Sequence, residues 1–499
     1  MGLRGNEARG QNFETPVPRR HPPVGEWIAR AGGSATGVGE PAATDSRAAL
    51  GAPGAARHVR DRCPESAKPI VNPRLTIFAI VNYKLTIWPS GGPSGVAVDD
   101  IENAVRNPSG RGAKRAVVAG AGIAGLAAAL RLRRAGWEVV VLERAPARRS
   151  GGYLLNLHGP GYDAAERLGL VPALAPRDIG FFTSVLVHAD GREKFTVPAA
   201  VAQAAVGDRA LSLFRGDLES ALYAAVAAHV DIRFGTTVRA MTQDPGAVEV
   251  TLSDDTRLQA DLLIGADGVH SRIRELAFGP ESEHLVELNH MVGAFPLDTV
   301  PEHVPHGVGT TFLGPRRTAA VMNLGPGRSS AFFTYRSLDP AAELARGAAS
   351  ALTAAFGDLG RGVAEALEQL SADPADAYFD SVGQIVADRW SSGRVVLLGD
   401  AAWCVTVFAG YGAALALDGA DRLGAALDAH GDDLTAALDA WERSLRPEVR
   451  KRQALARKGV SRFAPPTRAH VWAGDLMLRA IQLPGIRGLV QRSIQRANN

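Results

Sequence analysis

Cysteine is scarce in this chain, with only Cys63 and Cys404 among 499 residues. The two lie in unrelated sequence contexts, so neither a disulfide framework nor a cysteine-rich metal site is supported. We therefore expect no metal site and a reducing, cytoplasmic location.

Excess charge of one sign and long apolar runs are missing as well. Lys and Arg total 55 against 52 Asp and Glu, a formal net charge of +3, so the total charge gives no field that would attract nucleic acid. The longest apolar candidate, residues 75–88, is interrupted by Asn82 and Lys84 and is shorter than the roughly 20 residues of a membrane-spanning helix. We expect no nucleic-acid partner and no integral membrane association.

Residues 1–112 are rich in Gly, Pro, Ala and Arg and show little helical or alternating periodicity. Such a composition buries too little apolar surface to fold alone, and we predict a disordered extension. No methionine lies between Met1 and Met241. A second hypothesis is therefore that the start is misassigned, with the true start near Val98 or Val105 and the extension absent from the native protein.

The first folded pattern begins at Arg115. The sequence predicts a strand over Arg115–Ala119, a helix over 124–135 and a second strand over 138–143, which reads EVVVLE. Both strands are dominated by apolar residues, as strands buried on both faces are. This arrangement predicts a βαβ unit at the start of a parallel sheet.

Three glycines between the first strand and the helix, Gly120, Gly122 and Gly125, match the pattern of dinucleotide-binding turns. In that pattern the first glycine permits a tight turn, the second lets a pyrophosphate approach the backbone, and the third lets the helix pack closely on the strand. Glu143 ends the second strand, where a carboxylate accepts ribose hydroxyls and repels a 2′-phosphate. The turn therefore fits FAD or NAD, and a purely structural turn is the alternative.

The rest of the chain predicts a second sheet and a return to the first. Short alternating runs within 181–210 and 286–380 predict antiparallel hairpins, and residues 394–399 (RVVLLG) predict a buried strand followed by a helix over 413–429. We predict an α/β fold in which a Rossmann-like cofactor domain is interleaved with an antiparallel-sheet substrate domain and followed by C-terminal helices. The boundaries are 113–180, 211–285 and 381–433 for the first domain, 181–210 and 286–380 for the second, and 434–499 for the helices.

Two later motifs separate FAD from NAD. Asp267-Gly268 opens the segment DGVHSRIR, and Gly399-Asp400 opens GDAAWCVTVFAGYG. Together with the glycine-rich turn, these motifs resemble class A flavoprotein monooxygenases of the p-hydroxybenzoate hydroxylase type, which include tetracycline-inactivating and polyketide-tailoring enzymes. The resemblance spans residues 113–460.

The resemblance implies where FAD is held. Asp400 would contact the ribityl chain, Arg215 would hold FAD from the side opposite the glycine turn, and Asp267-Gly268 would lie near the flavin and the nicotinamide pyrophosphate. Free N–H groups of the helix after Gly412 would face the flavin. The expected FAD-binding residues are Gly120, Gly122, Ile123, Ala124, Gly125, Glu143, Arg144, Arg215, Asp267, Gly268, Gly399, Asp400, Gly410 and Gly412. A solvated arginine at 215 and a helix-capping turn at 267 are the alternatives.

The resemblance is imperfect in the last motif. Trp403 stands where the family usually has His or Tyr, and Val405 and Val407 stand where it has proline at one or both positions. The segment from Gly151 to Gly161 resembles the stretch that passes beside the flavin ring in relatives. Its His158 is the candidate catalytic side chain, with a structural role as the alternative.

The activity implied is an FAD-dependent monooxygenase that uses NAD(P)H and O2. Reduced flavin would form a C4a-hydroperoxide that hydroxylates or otherwise oxygenates an aromatic or polyketide-like small molecule, so no protein nucleophile is needed. NADPH is preferred over NADH by resemblance alone. The alternatives are a flavin reductase without oxygen insertion, a flavin halogenase and a non-catalytic FAD-binding module. By side-chain type, the candidate pocket residues of the second domain are His188, His290, Phe332, Phe333 and Tyr335, and ordinary sheet packing is the favoured alternative for each.

Overall fold

The computed structural model describes residues 113–148, 153–206, 209–375 and 377–482. The predicted extension over 1–112, the glycines Gly151 and Gly152, and residues 483–499 lie outside this part of the chain. The element bounds below refer to the described residues.

The strands fall into two large sheets and two small ones. In chain order they are β1 (Arg115–Ala119), β2 (Glu138–Glu143), β3 (Leu154–His158), β4 (Thr183–Val187), β5 (Glu193–Val197), β6 (Ala210–Phe214), β7 (Asp231–Phe234), β8 (Val238–Gln243), β9 (Val248–Leu252), β10 (Arg257–Ala260), β11 (Leu262–Gly265), β12 (Leu285–Leu297), β13 (Val308–Gly314), β14 (Arg317–Asn323), β15 (Ser329–Arg336), β16 (Tyr378–Ile385), β17 (Ser391–Ser392) and β18 (Val395–Leu397).

The helices range from single turns to one of thirty residues. In chain order they are α1 (Ile123–Arg134), α2 (Pro160–Arg167), α3 (Val171–Leu174), α4 (Ala199–Val206), α5 (Arg215–Val226), α6 (Arg272–Phe278), α7 (Pro340–Arg346), α8 (Ala348–Phe356), α9 (Gly362–Ala372), α10 (Asp400–Trp403), α11 (Gly412–His430), α12 (Leu434–Phe463) and α13 (Arg468–Ile481).

The first sheet has the order β17-β18-β11-β1-β2-β7, and all neighbours except β17 and β18 run parallel. The residues of β1 and β2 are almost all buried because helices cover the sheet. The predicted strands Arg115–Ala119 and 138–143 are confirmed, and the predicted first helix is displaced by a single residue. Helix α11 packs on both α1 and α12, so the chain returns to the first sheet after residue 390 as predicted.

The second sheet has the order β16-β12-β15-β14-β13-β4-β5. The predicted hairpins β4–β5 and β13–β14 are confirmed. One pair, β4 with β13, runs parallel, which the long connection permits: more than a hundred residues, including strands of both large sheets, separate these two strands in sequence. Strand β16 runs through the predicted boundary at residue 380, so the second sheet is interleaved with the first, as predicted, but extends a little further.

The C-terminal helices join the two sheets. Helix α12 buries Leu438, Trp441 and Leu445 in the core of the first sheet, and its last residue, Phe463, lies beside the second sheet with Phe332 and Phe408. The predicted helical tail is therefore confirmed as far as Ile481. Among the residues that the structure describes, no helix is long and apolar enough to cross a membrane.

Candidate cofactor site

In the turn after β1, contacts within the protein itself require glycine at two positions. Gly120 has a φ of +105°, and a Cβ there would lie 2.4 Å from the carbonyl oxygen of Ala266. A Cβ on Gly125 would lie 1.9 Å from the carbonyl oxygen of Gly120, so any side chain would force helix α1 away from the strand. These two positions are glycine because the turn is tight and the helix is close.

Gly122 is different, because nothing in the protein requires it to be glycine. Its φ is −79°, and the nearest atom to a Cβ there is a carboxylate oxygen of Glu219 at 3.9 Å. Helix α1 begins directly after it with no side-chain cap and no acidic residue in its first turn, where Ile123 and Ala124 lie. Open space in front of uncapped N–H groups is what a phosphate group needs.

Glu143 lies at the end of β2, beside the same turn. One carboxylate oxygen accepts a hydrogen bond from the Ala121 amide at 2.9 Å and the other from the Ala145 amide at 2.8 Å. An ionised carboxylate has about four acceptor positions, so capacity for ribose hydroxyls is left after these two bonds. The next residue, Arg144, is exposed.

Arg215 starts helix α5 and faces the glycine turn. Its guanidinium forms an ion pair with Glu219 at 2.6 Å, and Glu219 is the side chain nearest to Gly122. Burial lowers the pKa of Arg215, but the carboxylates of Glu219 and Asp400 outweigh this and leave it raised. Arg215 therefore stays a cation next to the open space at Gly122.

Asp400 lies at the start of α10, after a turn that only glycine permits. Gly399 has a φ of +66°, and a Cβ there would lie 2.7 Å from the Cβ of Ala124. The Asp400 side chain is open to solvent, yet burial raises its pKa, against the influence of the Arg215 cation and a hydrogen bond from the Cys404 thiol. A carboxylate that solvent reaches while protein surrounds it lies in a cleft.

Two tyrosines line the same cleft. Tyr153 and Tyr378 have ring centroids 5.8 Å apart, and both interact electrostatically with Arg215. Tyr378 is 43% exposed, yet burial raises its pKa well above the ordinary value, as burial also raises that of Tyr153. Tyr378 begins β16, so the cleft extends from the first sheet to the second. Sequence reasoning missed Tyr378, because no motif surrounds it.

Helix α11 points its N-terminus at Asp400. A Cβ on Gly412, the first residue of this helix, would lie 3.8 Å from a carboxylate oxygen of Asp400. The helix has no side-chain cap and no acidic residue in its first turn, and Gly410 before it adopts a left-handed conformation. The predicted free N–H groups at this end are thus next to the cleft.

Asp267 lies against the glycine turn, but its carboxylate is used elsewhere. Its Cα would be 3.0 Å from a Cβ on Gly120. Its two oxygens accept hydrogen bonds from the Ser271 hydroxyl at 2.5 Å and the Ile273 amide at 3.1 Å, at the start of α6. The helix-capping role is therefore present. Gly268 has a φ of +85° and open space around it.

Arg274 connects the second motif with the third. It is fully buried and donates to the carbonyl oxygens of Val269 at 2.6 Å and Ala401 at 3.1 Å, and it pairs with Glu281 at 2.9 Å. This arginine therefore joins the Asp267-Gly268 segment to the Gly399-Asp400 segment, which lie far apart in sequence.

The candidate pocket residues of the second domain lie on opposite faces of the second sheet. His290 packs edge-on against Phe408 at 5.9 Å, and Phe332 belongs to the same apolar cluster. Phe333 and Tyr335 pack on the other side of the sheet, against Phe356 of α8, so they cannot line a pocket with Phe332, and the alternative of ordinary sheet packing holds for these two.

Two histidine candidates lie apart from these faces. His188 is exposed at the β4–β5 turn. His158 is buried at the end of β3 with its ring edge-on to Tyr411 at 5.3 Å. Its surroundings are those of a packed core histidine.

Trp403 has a packing role in this structure. Its indole is buried in a cluster with Trp390 and Trp441, at centroid distances of 4.7 and 5.9 Å, behind the loop that follows Asp400. Space for the ring is made by Gly419 of α11, where a Cβ would lie 2.9 Å from the indole. No group of His, Cys, Asp and Glu suited to a metal ion is present among the described residues.

Known proteins are similar to this chain over most of its folded part. The family model for an FAD binding domain matches residues 114–451. An uncharacterized protein of Mycobacterium tuberculosis, MT1298, is 32% identical over 360 residues, which cover 70% of this chain and 95% of that protein.

A named enzyme and a solved structure show the same similarity. The 3-amino-4-hydroxybenzoate 2-monooxygenase of Streptomyces cremeus is 30% identical over 378 residues, covering 74% of this chain and 93% of that enzyme. The crystal structure of the tetracycline destructase Tet(51) superposes with a TM-score of 0.63 at 26% identity and covers 77% of this chain and 97% of that one. The family model alone covers more than half of the chain, so the protein belongs to the class A FAD-dependent monooxygenases and its cofactor is FAD.

Proposed function

We propose that this protein uses NAD(P)H and O2 to hydroxylate an electron-rich aromatic or polyketide-like molecule. The balanced reaction consumes one substrate C–H bond, one O2, one NAD(P)H and one proton, and yields the hydroxylated product, water and NAD(P)+. When bound, FAD takes the hydride and reacts with O2, so the protein itself need not supply a nucleophile. An aromatic substrate is supported by the name of the Streptomyces relative, which specifies a hydroxybenzoate.

The observation that carries the proposal is the convergence of Gly122, Arg215 and Asp400 in one cleft. We assign the pyrophosphate to the open space at Gly122 and the uncapped start of α1, with Arg215 as counter-charge. We assign the ribose to Glu143 and the ribityl chain to Asp400. The remaining expected contacts, at Ile123, Ala124, Arg144, Asp267, Gly268, Gly399 and Gly410, stay predictions.

The groups near Asp400 determine which charge the cleft can stabilise. The N-terminus of α11 places partial positive charge at Gly412, which would stabilise an anionic flavin ring. Tyr153 and Tyr378 carry neutral hydroxyls at physiological pH, because the ordinary tyrosine pKa of about 10 lies above that range and burial raises the pKa of each further. The cleft thus offers donors to developing negative charge.

A buried aromatic cluster lies beside Tyr153, toward the second sheet. Phe408 and Phe332 pack in one cluster with Tyr153 beside it, and His290 contacts Phe408. Burial lowers the pKa of His290, so its imidazole is neutral at pH 7. We propose that this cluster borders the substrate position, where aromatic side chains favour a flat, apolar ring over a charged sugar or nucleotide.

The activity can be tested with purified holoprotein and a panel of phenols and polyketides. We expect one or more compounds to stimulate NAD(P)H oxidation, with one atom of 18O2 recovered in the product. Stimulated oxidation with no 18O in the product would instead identify a flavin reductase.

The site assignment has a matched control within the chain. Arg215→Ala should weaken FAD binding by about tenfold or more, because a charge-assisted contact to phosphate is lost. Arg209→Ala removes a surface arginine paired with Asp163 and Glu166 and should leave the FAD dissociation constant unchanged. Equal FAD affinity in both variants would contradict the assignment.

We also propose that the enzyme works in a reducing compartment such as the cytoplasm. The proposal is supported by Cys404, a free buried thiol that lies close enough to Asp400 to influence the pKa of its carboxyl. Oxidation of that thiol would disturb the residue to which we assign the ribityl chain.

A further inference from the structure

The loop between Asp400 and helix α11 contains a strained residue. Thr406 is 6% exposed and adopts a φ of +78° and a ψ of +155°. A side chain branched at Cβ rarely adopts positive φ, and such a conformation persists only where the surrounding contacts fix it.

One buried amide from helix α12 meets the loop backbone. Gln453 is 5% exposed, and its Nε2 donates to the carbonyl oxygen of Ile385 at 2.7 Å. The same nitrogen lies 3.4 and 3.5 Å from the carbonyl oxygens of Trp403 and Cys404. Because the Ile385 amide also donates to the Cys404 carbonyl at 3.2 Å, Gln453 closes a small network around the loop.

A second buried amide holds the loop one residue further on. Gln384, at the end of β16, is fully buried, and its Nε2 lies 3.4 Å from the carbonyl oxygen of Val405 and 3.0 Å from that of Gln453. Its Oε1 accepts a hydrogen bond from Arg457 at 2.5 Å, which fixes which end of the amide faces the loop. Three consecutive loop carbonyls, at residues 403–405, thus meet the donors of two buried amides directly before Thr406.

We propose that Gln384 and Gln453 are positioning residues that hold Thr406 in its strained conformation and thereby set the flavin-facing end of the loop. The loop joins Asp400 to Gly412, and a Cβ on Gly412 would lie 3.8 Å from an Asp400 oxygen. A relaxed loop would shift the N-terminus of α11 relative to Asp400. The inference rests on the proposed placement of the flavin beside these two residues.

The test is the FAD affinity and visible spectrum of a Gln453→Met variant, which keeps the length of the side chain and removes its donors. We expect binding about tenfold weaker, since buried carbonyls lose their partner, and a shifted flavin absorption band. Thr406→Gly in the same protein should restore most of the affinity, because glycine adopts positive φ without strain. A purely structural role for Gln453 would give no such rescue.

A matched control separates positioning from general destabilisation. Leu438→Ala truncates a buried leucine near the other end of α12 and should lower the melting temperature without changing FAD affinity. If Gln453→Met does not fold, Arg457→Met provides the test, because Arg457 is exposed and its hydrogen bond to Gln384 connects it to the loop. We expect weaker FAD binding of about threefold there, with recovery in Arg457→Lys.

Unchanged FAD affinity and spectrum in Gln453→Met, or in Arg457→Met when the first variant does not fold, would overturn the inference. Its failure is distinct from failure of the proposed site. If Arg215→Ala weakens FAD binding and the glutamine variant does not, only the positioning role is wrong.

Discussion

Substitution by alanine should affect stability differently at two glycines of the first turn, Gly125 and Gly122. At Gly125 an alanine Cβ would lie 1.9 Å from a backbone oxygen that cannot rotate away, so the helix must move off the strand. Overpacking of this severity costs about 3 kcal/mol or more. At Gly122 the backbone, with φ of −79° and ψ of −173°, suits alanine, and no atom lies closer than 3.9 Å. There alanine should change the free energy of unfolding of the apo-protein by less than about 1 kcal/mol, because the entropy it removes from the unfolded chain is offset by the preference for glycine over alanine at a helix N-cap.

For FAD binding, Gly122→Ala is the substitution that should matter. The methyl group of Gly122→Ala occupies the space that we assign to the pyrophosphate, so FAD should bind at least about tenfold more weakly, a loss of roughly 1.4 kcal/mol. Thermal unfolding of the apo-protein and quenching of flavin fluorescence on titration measure the two effects separately. A Gly122→Ala protein with wild-type FAD affinity would refute the assignment of that space. A Gly125→Ala apo-protein with an unchanged melting temperature would refute the steric argument.

Two further predictions concern parts of the molecule around the cleft. Gly419→Ala should destabilise the wild-type protein, because the new Cβ would lie 2.9 Å from the Trp403 indole. In a Trp403→His background the same substitution should stabilise the protein by up to about 1 kcal/mol, the usual helix preference for alanine over glycine. Urea unfolding measures both effects, and a change of the same sign in both backgrounds would show that the indole is not the obstacle. His270 has its pKa raised to about 9, first by hydrogen bonding to Asp380 and also by Glu281, against burial. Its contribution to stability is complete below pH 6.5 and is lost as the pH rises toward 9. The melting temperature should therefore fall over this window in the wild type and fall less in His270→Gln, and parallel profiles would contradict the role.

Local pattern was enough where one segment determines its own conformation. The strands at 115–119 and 138–143 matched because uninterrupted apolar residues between turn signals leave no other buried conformation. The tight turn at Gly120 and the start of α11 after Gly410 were likewise readable, since positive φ and helix starts are properties of short sequences.

Contacts between distant segments could not be read in the same way. Phe332 and Phe333 are equivalent in composition and adjacent in sequence, yet they face opposite sides of β15, and only the packing of α8 on one side decides which can line a pocket. Asp267 could equally have faced a ligand or capped a helix. The structure shows the cap, because Ser271 and the first turn of α6 lie within reach.

The sequence by itself indicated a dinucleotide cofactor, and its resemblance to a known family indicated FAD, because glycine spacing, the acid at the end of β2 and the two Gly-Asp or Asp-Gly pairs are each short and local. The tertiary structure decided the cleft. Tyr153, Arg215, Tyr378 and Asp400 belong to four segments spread over nearly 250 positions, and their approach depends on how the two sheets and helix α12 pack. Burial, charge and the direction of a side chain arise only from that packing, and they are what the chemistry of the site depends on.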